Sequence, residues 1–327
     1  MMTDQKKISI LCPCFNEEEN IVPICSAIMQ EMEVNLPEYD YELIFLDNHS
    51  TDNTKPLIRE LCRQHKKVKA IFNAKNFYAN SGVHGLMQTT GDCTINIASD
   101  FQCPVDMIHQ FVREWEKGYK VVCGVKIQSK ENPIMYGLRT LYYKLIKKMS
   151  TVEQIEHFTG FALYDKSFID IIRNIKDPYP YLRGFVAEYA FQRKDIEYVQ
   201  PKRRGGKSKM NFSSLFNTAM NGFTSYTKTG LRIASIGGFI SAVVCLVIAL
   251  IYLVLKLIYW YKFPTGIAPI LIGVFFIGSL QMFFIGLLGE YVMNINIRVM
   301  NRPLVIEEER IGFDDDEDTS GSTELNR

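Results

Sequence analysis

Carboxylates follow three of the short β-rich runs in this sequence, close to the points where those runs end. The three are Glu17, Asp47 and Asp100. A carboxylate in such a position can accept hydrogen bonds from a ribose or a base, and we expect this role for Asp47 and Glu17. Asp100 could hold a divalent cation against a diphosphate, because hard oxygen ligands suit Mg²⁺ or Mn²⁺. Helix capping is an alternative role for Asp100, and is the role expected of Asp52 and Thr54.

The elements that position these residues alternate along the chain. Between residues 8 and 125, β-rich runs are separated by stretches with helical spacing of apolar residues. This alternation predicts an α/β fold with a mainly parallel sheet and helices on both faces. In such sheets ligands bind at the carboxyl ends of the strands. The predicted strands are Ile8–Cys12, Tyr41–Leu46, Val68–Phe72, Cys93–Ile97 and Lys120–Val125, and the predicted helices are Ile21–Met32, Lys55–Gln64, Ser81–Thr89 and Val105–Glu116.

Residues 126–200 have a mixed α/β pattern. Arg139–Met149 is predicted to be an amphipathic helix, and His157–Asp165 a strand followed by a turn. The net charge of +1 provides no global basic field for nucleic acid. Eight cysteines are present without zinc-type spacing, so we expect free thiols in a reducing cytosol. The N-terminal segment lacks a signal-peptide pattern, so we expect it to stay in the cytosol.

Two uncharged stretches lie in the second half of the chain, at residues 233–255 and 263–289. Each exceeds the ~20 residues that cross a ~30 Å hydrocarbon layer, so both are predicted to span a membrane. Basic residues cluster before the first stretch and follow the second, whereas only Lys256 and Lys262 lie between them. The positive-inside rule then places both ends of the chain in the cytosol.

These features divide the chain into four predicted parts. Residues 1–205 form a cytosolic α/β domain, and residues 206–232 an amphipathic juxtamembrane segment. Residues 233–292 contain two transmembrane helices, at about 233–256 and 264–290. Residues 293–327 form a cytosolic C-terminal segment that ends in a disordered acidic tail.

Five short motifs occur in order along the chain. They are Pro13-Cys-Phe15-Asn16-Glu17-Glu-Glu-Asn20, Asp47-Asn-His-Ser50-Thr-Asp52-Asn-Thr54, Asn76-Phe-Tyr through Gly91-Asp92, Ala98-Ser-Asp100-Phe-Gln102-Cys-Pro104 and Arg203-Arg-Gly-Gly206-Lys-Ser208-Lys209. Together they resemble the motifs of GT-A glycosyltransferases of the polyprenyl-phosphate type. That family includes the dolichol-phosphate mannose synthases and bacterial undecaprenyl-phosphate sugar transferases. The resemblance covers about residues 7–305, including the helix hairpin.

The resemblance implies a GT-A nucleotide-sugar-binding domain that transfers a sugar, with inversion, from a nucleotide diphosphate-sugar to a polyprenyl phosphate. It implies Mg²⁺ or Mn²⁺ held by Asp100 and Gln102, and a multi-pass homo-oligomer in contact with the lipid of the cytoplasmic membrane. The implied donor-binding residues are Pro13, Phe15, Asn16, Glu17, Asp47 and Asn76. The candidate acceptor phosphate ligands are Arg203, Ser208, Lys209 and Arg139.

The cluster from Arg203 to Lys209 has an independent physical reason to bind a lipid phosphate. A lipid phosphate lies at the membrane surface, and this cluster precedes the first apolar stretch. Its side chains can donate charge-assisted hydrogen bonds to that phosphate. Contact with anionic headgroups, which also sets the topology, is a compatible alternative.

Three positions depart from the family pattern. Ala98 replaces the first acid of a D-x-D pair, Asn48 replaces the second Asp of the second motif, and Gln200 stands where many members have Arg. Ala98 alone supports an alternative function, a catalytically inactive scaffold that binds a nucleotide-sugar or a partner. A processive polysaccharide synthase would carry a Q-x-x-R-W motif, which is absent from this sequence. A transporter is disfavoured by two spans beside a large soluble domain.

Overall fold

The computed structural model describes residues 5–128, 155, 157–175, 177–178, 180–201, 267–300 and 302–313, with single positions between 236 and 258. These residues divide between two compact units. The first contains those within Met1–Pro133, Ile155–Lys209 and Pro303–Arg327. The second contains those within Ile134–Gln154 and Met210–Arg302. The helix predicted at Arg139–Met149 lies outside the described residues.

The first unit is built on a mainly parallel sheet, which has eight strands within the described part of the chain. The strands are β1 (Lys7–Cys14), β2 (Asp40–Asp47), β3 (Val68–Asn73), β4 (Cys93–Asn96), β5 (Val121–Gln128), β6 (Phe158–Asp165), β7 (Arg193–Val199) and β8 (Glu307–Ile311). Their order is β7-β5-β6-β4-β1-β2-β3-β8. Strands β6 and β8 run antiparallel to their neighbours, and the other pairings are parallel. The predicted α/β fold is therefore confirmed.

Helices cover both faces of this sheet, as the alternating pattern predicted. They are α1 (Ile21–Asn35), α2 (Thr54–Gln64), α3 (Ala79–Gln88), α4 (Met107–Glu116), α5 (Lys166–Ile175) and α6 (Leu182–Tyr189). Helices α1, α2 and α4 pack in one buried cluster, and α3, α5 and α6 in the other. In β1, Ile8 and Ile10 enter the first cluster while Leu11 enters the second. Because both faces are covered, the strands are apolar on both sides.

The cysteines within the described residues agree with the expectation of free thiols. Cys12, Cys14, Cys25, Cys62, Cys93, Cys103 and Cys123 are all unpaired, and all but Cys62 are buried. Burial raises the pKa of the Cys12 and Cys14 thiols well above the ordinary value. These thiols therefore pack as small apolar side chains in the core.

The second unit contains a long helix, α7 (Ile267–Val299). Its segment Phe276–Val299 has 24 residues and contains an 18-residue stretch with a mean hydropathy of 1.5, so by length and composition it could cross a membrane. The helix continues past the predicted end at about residue 290. The first predicted span lies largely outside the described residues. The positions that are described there, among them Ile236, Phe239 and Ile240, are helical and exposed.

Strand β8 was not predicted from the sequence. It lies within the segment 293–327 and pairs antiparallel with β3, so that Ile311 lies opposite Ala70 and Glu307 opposite Asn73. Its sequence, EEERI, has three successive glutamates and lacks the β-branched pattern of a strand. The chain thus returns to the first unit after α7. The acidic tail beyond Phe313 lies outside the described residues.

Candidate active site

Five non-glycine residues within the described part of the chain have positive φ angles, and all five lie at one edge of the sheet. Asn16 (φ 53°), His49 (68°), Tyr78 (51°) and Phe101 (58°) follow the first four strands, and His157 (58°) precedes the antiparallel β6. A left-handed backbone is strained for bulky residues, and such strain concentrates at functional sites. The backbone therefore marks the carboxyl edge of the parallel strands as the candidate site.

The loops after β1 and β2 are joined by hydrogen bonds. The backbone N–H of Asn16 donates to Ser50 Oγ at 2.7 Å, and Asn16 Oδ1 accepts from the Thr51 N–H at 2.6 Å. The N–H of Glu17 donates to Thr54 Oγ1 at 2.8 Å. The first two motifs are thus joined by hydrogen bonds into one wall of the site.

Asp52 and Thr54 were both expected to cap α2, and the structure gives them different roles. Asp52 Oδ1 accepts a hydrogen bond from the Thr54 N–H at 3.0 Å, which is a capping contact at the start of α2. The Thr54 side chain instead accepts from Glu17, so the prediction that it caps α2 is wrong. A contact to a residue 37 positions away cannot be inferred from local capping rules.

Asp47 is fully buried and has one unfilled acceptor. Its Oδ2 accepts from the Ser50 N–H at 3.0 Å, whereas Oδ1 has no partner among the described residues. Burial raises the pKa of Asp47, and the hydrogen bonds from Ser50 oppose that rise. A buried acceptor left unpaired costs free energy of about 1–3 kcal/mol. A ligand N–H or O–H that reached Oδ1 would remove this cost.

Asn48, one of the departures from the family pattern, holds the loop after β3. Its Nδ2 donates to Asn76 Oδ1 at 2.9 Å, and its Oδ1 accepts from the Phe77 N–H at 2.9 Å and from Asn73 Nδ2 at 3.2 Å. The Tyr78 N–H also donates to Asn76 Oδ1, at 2.8 Å. An aspartate at position 48 could not donate to Asn76. The asparagine therefore matches this loop, which we call the Asn76 loop (Asn73–Tyr78).

We expect Asn48→Asp to open the Asn76 loop. The carboxylate keeps the acceptor for Phe77 but loses the donor to Asn76, and its second oxygen then faces the Asn76 carbonyl. Losing one hydrogen bond of this kind is expected to raise the amide hydrogen exchange rates of Phe77 and Tyr78 about tenfold. Hydrogen–deuterium exchange measures this increase. Asn53→Asp, at an exposed position before α2, is the control, and unchanged protection in Asn48→Asp would contradict the expectation.

Asp100 and Gln102 lie together in a tight turn after β4. The Gln102 N–H donates to Asp100 Oδ1 at 3.1 Å, and Phe101 between them is left-handed. Helix α4 begins at Met107 with Asp106 at its N-cap position, so the helix-cap interpretation of Asp100 is wrong.

The donor atoms of this turn fit a hard divalent cation. Mg²⁺ is commonly bound through one or two carboxylates together with waters and substrate phosphates. Asp100 supplies a carboxylate and Gln102 an amide oxygen, while Ala98 is exposed and offers no ligand. No group of three or more His, Cys, Asp or Glu side chains is gathered for a metal in the described ranges. Waters and substrate phosphate oxygens would supply further ligands of such a cation.

The other predicted site residues have different positions. Pro13 lies in β1 beside this edge, and its carbonyl accepts from Ser99 Oγ at 3.3 Å. Phe15 lies in the loop after β1 and is partly buried. Glu17 is buried, and its Oε2 accepts from Asn20 Nδ2 at 2.6 Å within the turn before α1. Four predicted acceptor ligands lie outside the described residues: Arg139, Arg203, Ser208 and Lys209.

The third motif is divided between opposite edges of the sheet. Asn76 lies at the carboxyl edge, whereas Asp92 Oδ2 accepts from the Lys7 N–H at 2.9 Å at the start of β1. A Cβ at Gly91 would lie 2.7 Å from the backbone nitrogen of Ser9, so only glycine fits there. The Gly91-Asp92 end of this motif therefore has a structural role.

Sequence reasoning missed a polar pair near the ends of β5 and β7. Lys126 is buried and donates to Gln200 Oε1 at 2.6 Å. An arginine at position 200 would place a second cation beside Lys126, whereas glutamine offers an acceptor. This pairing provides a physical reason for the third departure from the family pattern. The sequence did offer a signal for this pair, because a lysine within the apolar run of β5 needs a polar partner when it is buried.

A comparison with family models decides the class of this protein. Residues 9–172, about half of the chain, match the model described as Glycosyl transferase family 2. The chain belongs to this family. The match contains the first four motifs and ends before the fifth. The predictions of a GT-A-type α/β fold and of a glycosyltransferase are therefore confirmed.

Relatives of this glycosyltransferase match along nearly its whole length. A bactoprenol glucosyl transferase of Shigella phage SfX is 30% identical over 300 residues, which cover 91% of this chain and 97% of that protein. A putative glycosyltransferase of Bacillus subtilis strain 168 is 27% identical over 303 residues, which cover 91% of this chain and 90% of that protein. Among solved structures, a mycobacterial protein has 16% identity and a TM-score of 0.46, covering 67% of this chain and 73% of that one.

Proposed function

We propose that this glycosyltransferase transfers a sugar, with inversion, from a nucleotide diphosphate-sugar to a polyprenyl phosphate, and so makes a lipid-phosphate-linked sugar. The observation that carries this proposal is the meeting of Asp47, the Asn76 loop and Asp100 at one edge of the sheet. The name of the Shigella phage relative, bactoprenol glucosyl transferase, supports a polyprenyl carrier as the acceptor.

The donor nucleoside is assigned to the wall formed by the first three strands. The unfilled Oδ1 of Asp47 accepts an N–H of the base or a ribose hydroxyl, and the Asn76 loop encloses the same end of the donor. Uracil and guanine both carry a ring N–H, so either nucleoside meets this requirement. Asp100 and Gln102 are the residues that would hold Mg²⁺ or Mn²⁺. The cation, when bound, neutralises charge on the leaving diphosphate.

The acceptor phosphate is assigned to Arg203, Ser208 and Lys209, with Arg139 as a further candidate. A phosphate monoester is already anionic near neutral pH, so attack on the anomeric carbon needs little help from a general base. The residues of this chain then position two anions and screen their repulsion. Because the reaction depends on positioning and charge screening, no general base stands out among the predicted site residues.

The topology of the sheet supports a membrane hairpin. Strand β7 ends at Val199 and β8 begins at Glu307, and both belong to the same sheet. A single sheet lies on one side of a membrane, so the chain between these strands crosses an even number of times. If α7 makes one crossing, the uncharged residues 233–255 make the other. We therefore propose a multi-pass enzyme of the cytoplasmic membrane, with the catalytic domain and both termini in the cytosol.

Cysteine labelling in intact cells tests this topology. A membrane-impermeant maleimide is expected to label Trp260→Cys, in the short turn between the spans, from outside the cell. Ser322→Cys in the acidic tail is expected to react only after the cells are permeabilised. The reverse pattern would place the donor site outside the cell and overturn the topology.

An assay of the purified full chain tests the reaction. UDP- and GDP-sugars are offered with undecaprenyl phosphate and Mn²⁺, and the lipid product is identified by mass spectrometry. A lipid-phosphate-linked sugar is the expected product. The replacement of an acid by Ala98 favours one competing function, a binding scaffold. A chain that binds a donor but neither transfers nor hydrolyses it in the presence of metal would be such a scaffold.

A further inference from the structure

Strand β8 forms one edge of the sheet with a segment that follows the long apolar helix. It pairs with β3 antiparallel, and a bulge at Phe72/Asn73 places Glu307 and Glu309 opposite adjacent residues of β3. A bulge adds a residue to one strand and redirects the side chains beside it. Glu308 is that extra residue, which allows it and its neighbour Glu309 to contact the same helix.

That helix is α2, at the start of which the second motif ends. Glu308 Oε2 accepts from Lys55 Nζ at 2.7 Å. Glu309 Oε2 accepts from both Nε and Nη2 of Arg59, at 3.1 and 2.6 Å. The Arg59 guanidinium also lies 4.8 Å from the ring centroid of Phe72 in β3. Strand β8 is therefore attached to α2 by two ion pairs.

On the other face of the sheet, β8 contacts α3, the helix that follows the Asn76 loop. His84 Nε2 lies 2.5 Å from Glu307 Oε1, and Arg310 pairs with Glu307 and donates to Gln88 Oε1 at 2.6 Å. Burial alone would raise the pKa of Glu307, but the hydrogen bonds from His84 and Arg310 hold it at about 2. Glu307 is therefore ionised at neutral pH and holds β8 to α3.

The residues just before β8 contact the Asn76 loop directly. The carbonyl of Ile306 accepts from the Ala74 N–H at 3.0 Å, and Val305 is buried. The far end of the same loop is held by Asn48, which accepts from the Phe77 N–H. The loop is thus fixed at one end by the second motif and at the other by the C-terminal segment.

We propose that residues Val305–Ile311, which we call the return strand, position the Asn76 loop and thereby set the affinity for the donor. The return strand joins α2, α3 and the loop, so its release frees one end of the loop while the motif residues themselves stay unchanged. This proposal rests on the proposed function, because it requires that the ligand bound by the Asn76 loop is the nucleotide-sugar. It also ties donor binding to the segment that follows α7.

A charge-swap experiment on the full chain tests the return strand. Glu309→Arg places a cation beside Arg59 and Lys55 and is expected to release the strand. If the fraction of molecules in which the return strand is paired with β3 falls to about one fifth, the Kd of the donor rises about fivefold. The Kd is measured by calorimetry with UDP-glucose and GDP-mannose in Mg²⁺. The double variant Arg59→Glu/Glu309→Arg restores the ion pair and is expected to return the Kd to within about twofold of the original.

Two further measurements separate positioning from general stability. Hydrogen exchange of Ala74–Tyr78 is expected to increase in Glu309→Arg and to recover in the double variant. Arg113→Glu on α4 breaks comparable pairs to Glu38 and Glu116, and is expected to lower Tm without changing the Kd or the loop exchange. Glu309→Gln, which removes the charge without adding repulsion, replaces Glu309→Arg if the latter does not fold.

The results distinguish the two proposals. A lower Tm with unchanged Kd and unchanged exchange of Ala74–Tyr78 would show that the return strand only stabilises the fold. If the unaltered chain binds none of a panel of UDP- and GDP-sugars, the proposed donor function fails. The exchange of the loop then still decides whether the return strand positions it.

Discussion

Asp100→Asn is expected to lower sugar transfer by about a hundredfold to a thousandfold, the range typical of removing one group that stabilises developing charge. Asp100 supplies the one carboxylate of the fourth motif, Ala98–Pro104, since Ala98 stands at the other acidic position of that motif. Asparagine is close in size to aspartate but is a neutral and weaker ligand for a hard cation. The measurement is the initial rate of lipid-linked product formation over a range of Mn²⁺ concentrations.

The fold and the donor site are expected to survive this substitution. Asp100 is only partly buried, and its hydrogen bond from the Gln102 N–H can be accepted equally by the asparagine carbonyl. Tm should therefore be nearly unchanged. Asp106→Asn, an exposed carboxylate in the same loop with no capping hydrogen bond, is the matched control and should retain full activity. Near-normal metal-dependent rates in Asp100→Asn would show that the cation is held elsewhere.

Arg203→Ala is expected to lower kcat/KM for polyprenyl phosphate by about tenfold to a hundredfold, through the loss of a charge-assisted hydrogen bond of roughly 1.5–3 kcal/mol. A polyprenyl chain stays in the bilayer, so its phosphate rises only to the headgroup level. Arg203 belongs to the basic cluster closest in sequence to the first span. Its planar guanidinium can grip two phosphate oxygens, which a lysine cannot copy.

The same variant separates the acceptor from the donor. The assigned donor residues lie at the carboxyl ends of the first four strands, so nucleotide-sugar affinity should change little. Lipid-dependent kinetics and donor titration are therefore measured on one preparation. Arg204→Ala removes the neighbouring charge at a variable position of the same motif and is the control for a general loss of attraction to anionic lipid. Collapse of donor binding with an unchanged KM for the lipid would assign Arg203 to the donor site.

Much of the fold was predictable because its signals are local. Apolar runs alternate with helical spacing along residues 8–125, and the strands and helices lie where this pattern predicted them. Asp47 and Asp100 could be placed at the carboxyl edge for the same reason, since a residue just after a parallel strand lies there. The assignments of Arg139, Arg203, Ser208 and Lys209 remain predictions.

By itself, the sequence determined the strand–helix alternation, the family, the positions of the motif residues along the strands and two stretches apolar enough to span a membrane. Tertiary structure alone decided which distant groups meet. The Asn48 contacts, the Lys126–Gln200 pair and the division of the third motif depend on which strands are neighbours. The pairing of β8 with β3 joins residues more than two hundred positions apart, and no local propensity of EEERI indicates it. Such contacts arise because folding satisfies exposed strand edges and charges wherever the chain brings them together.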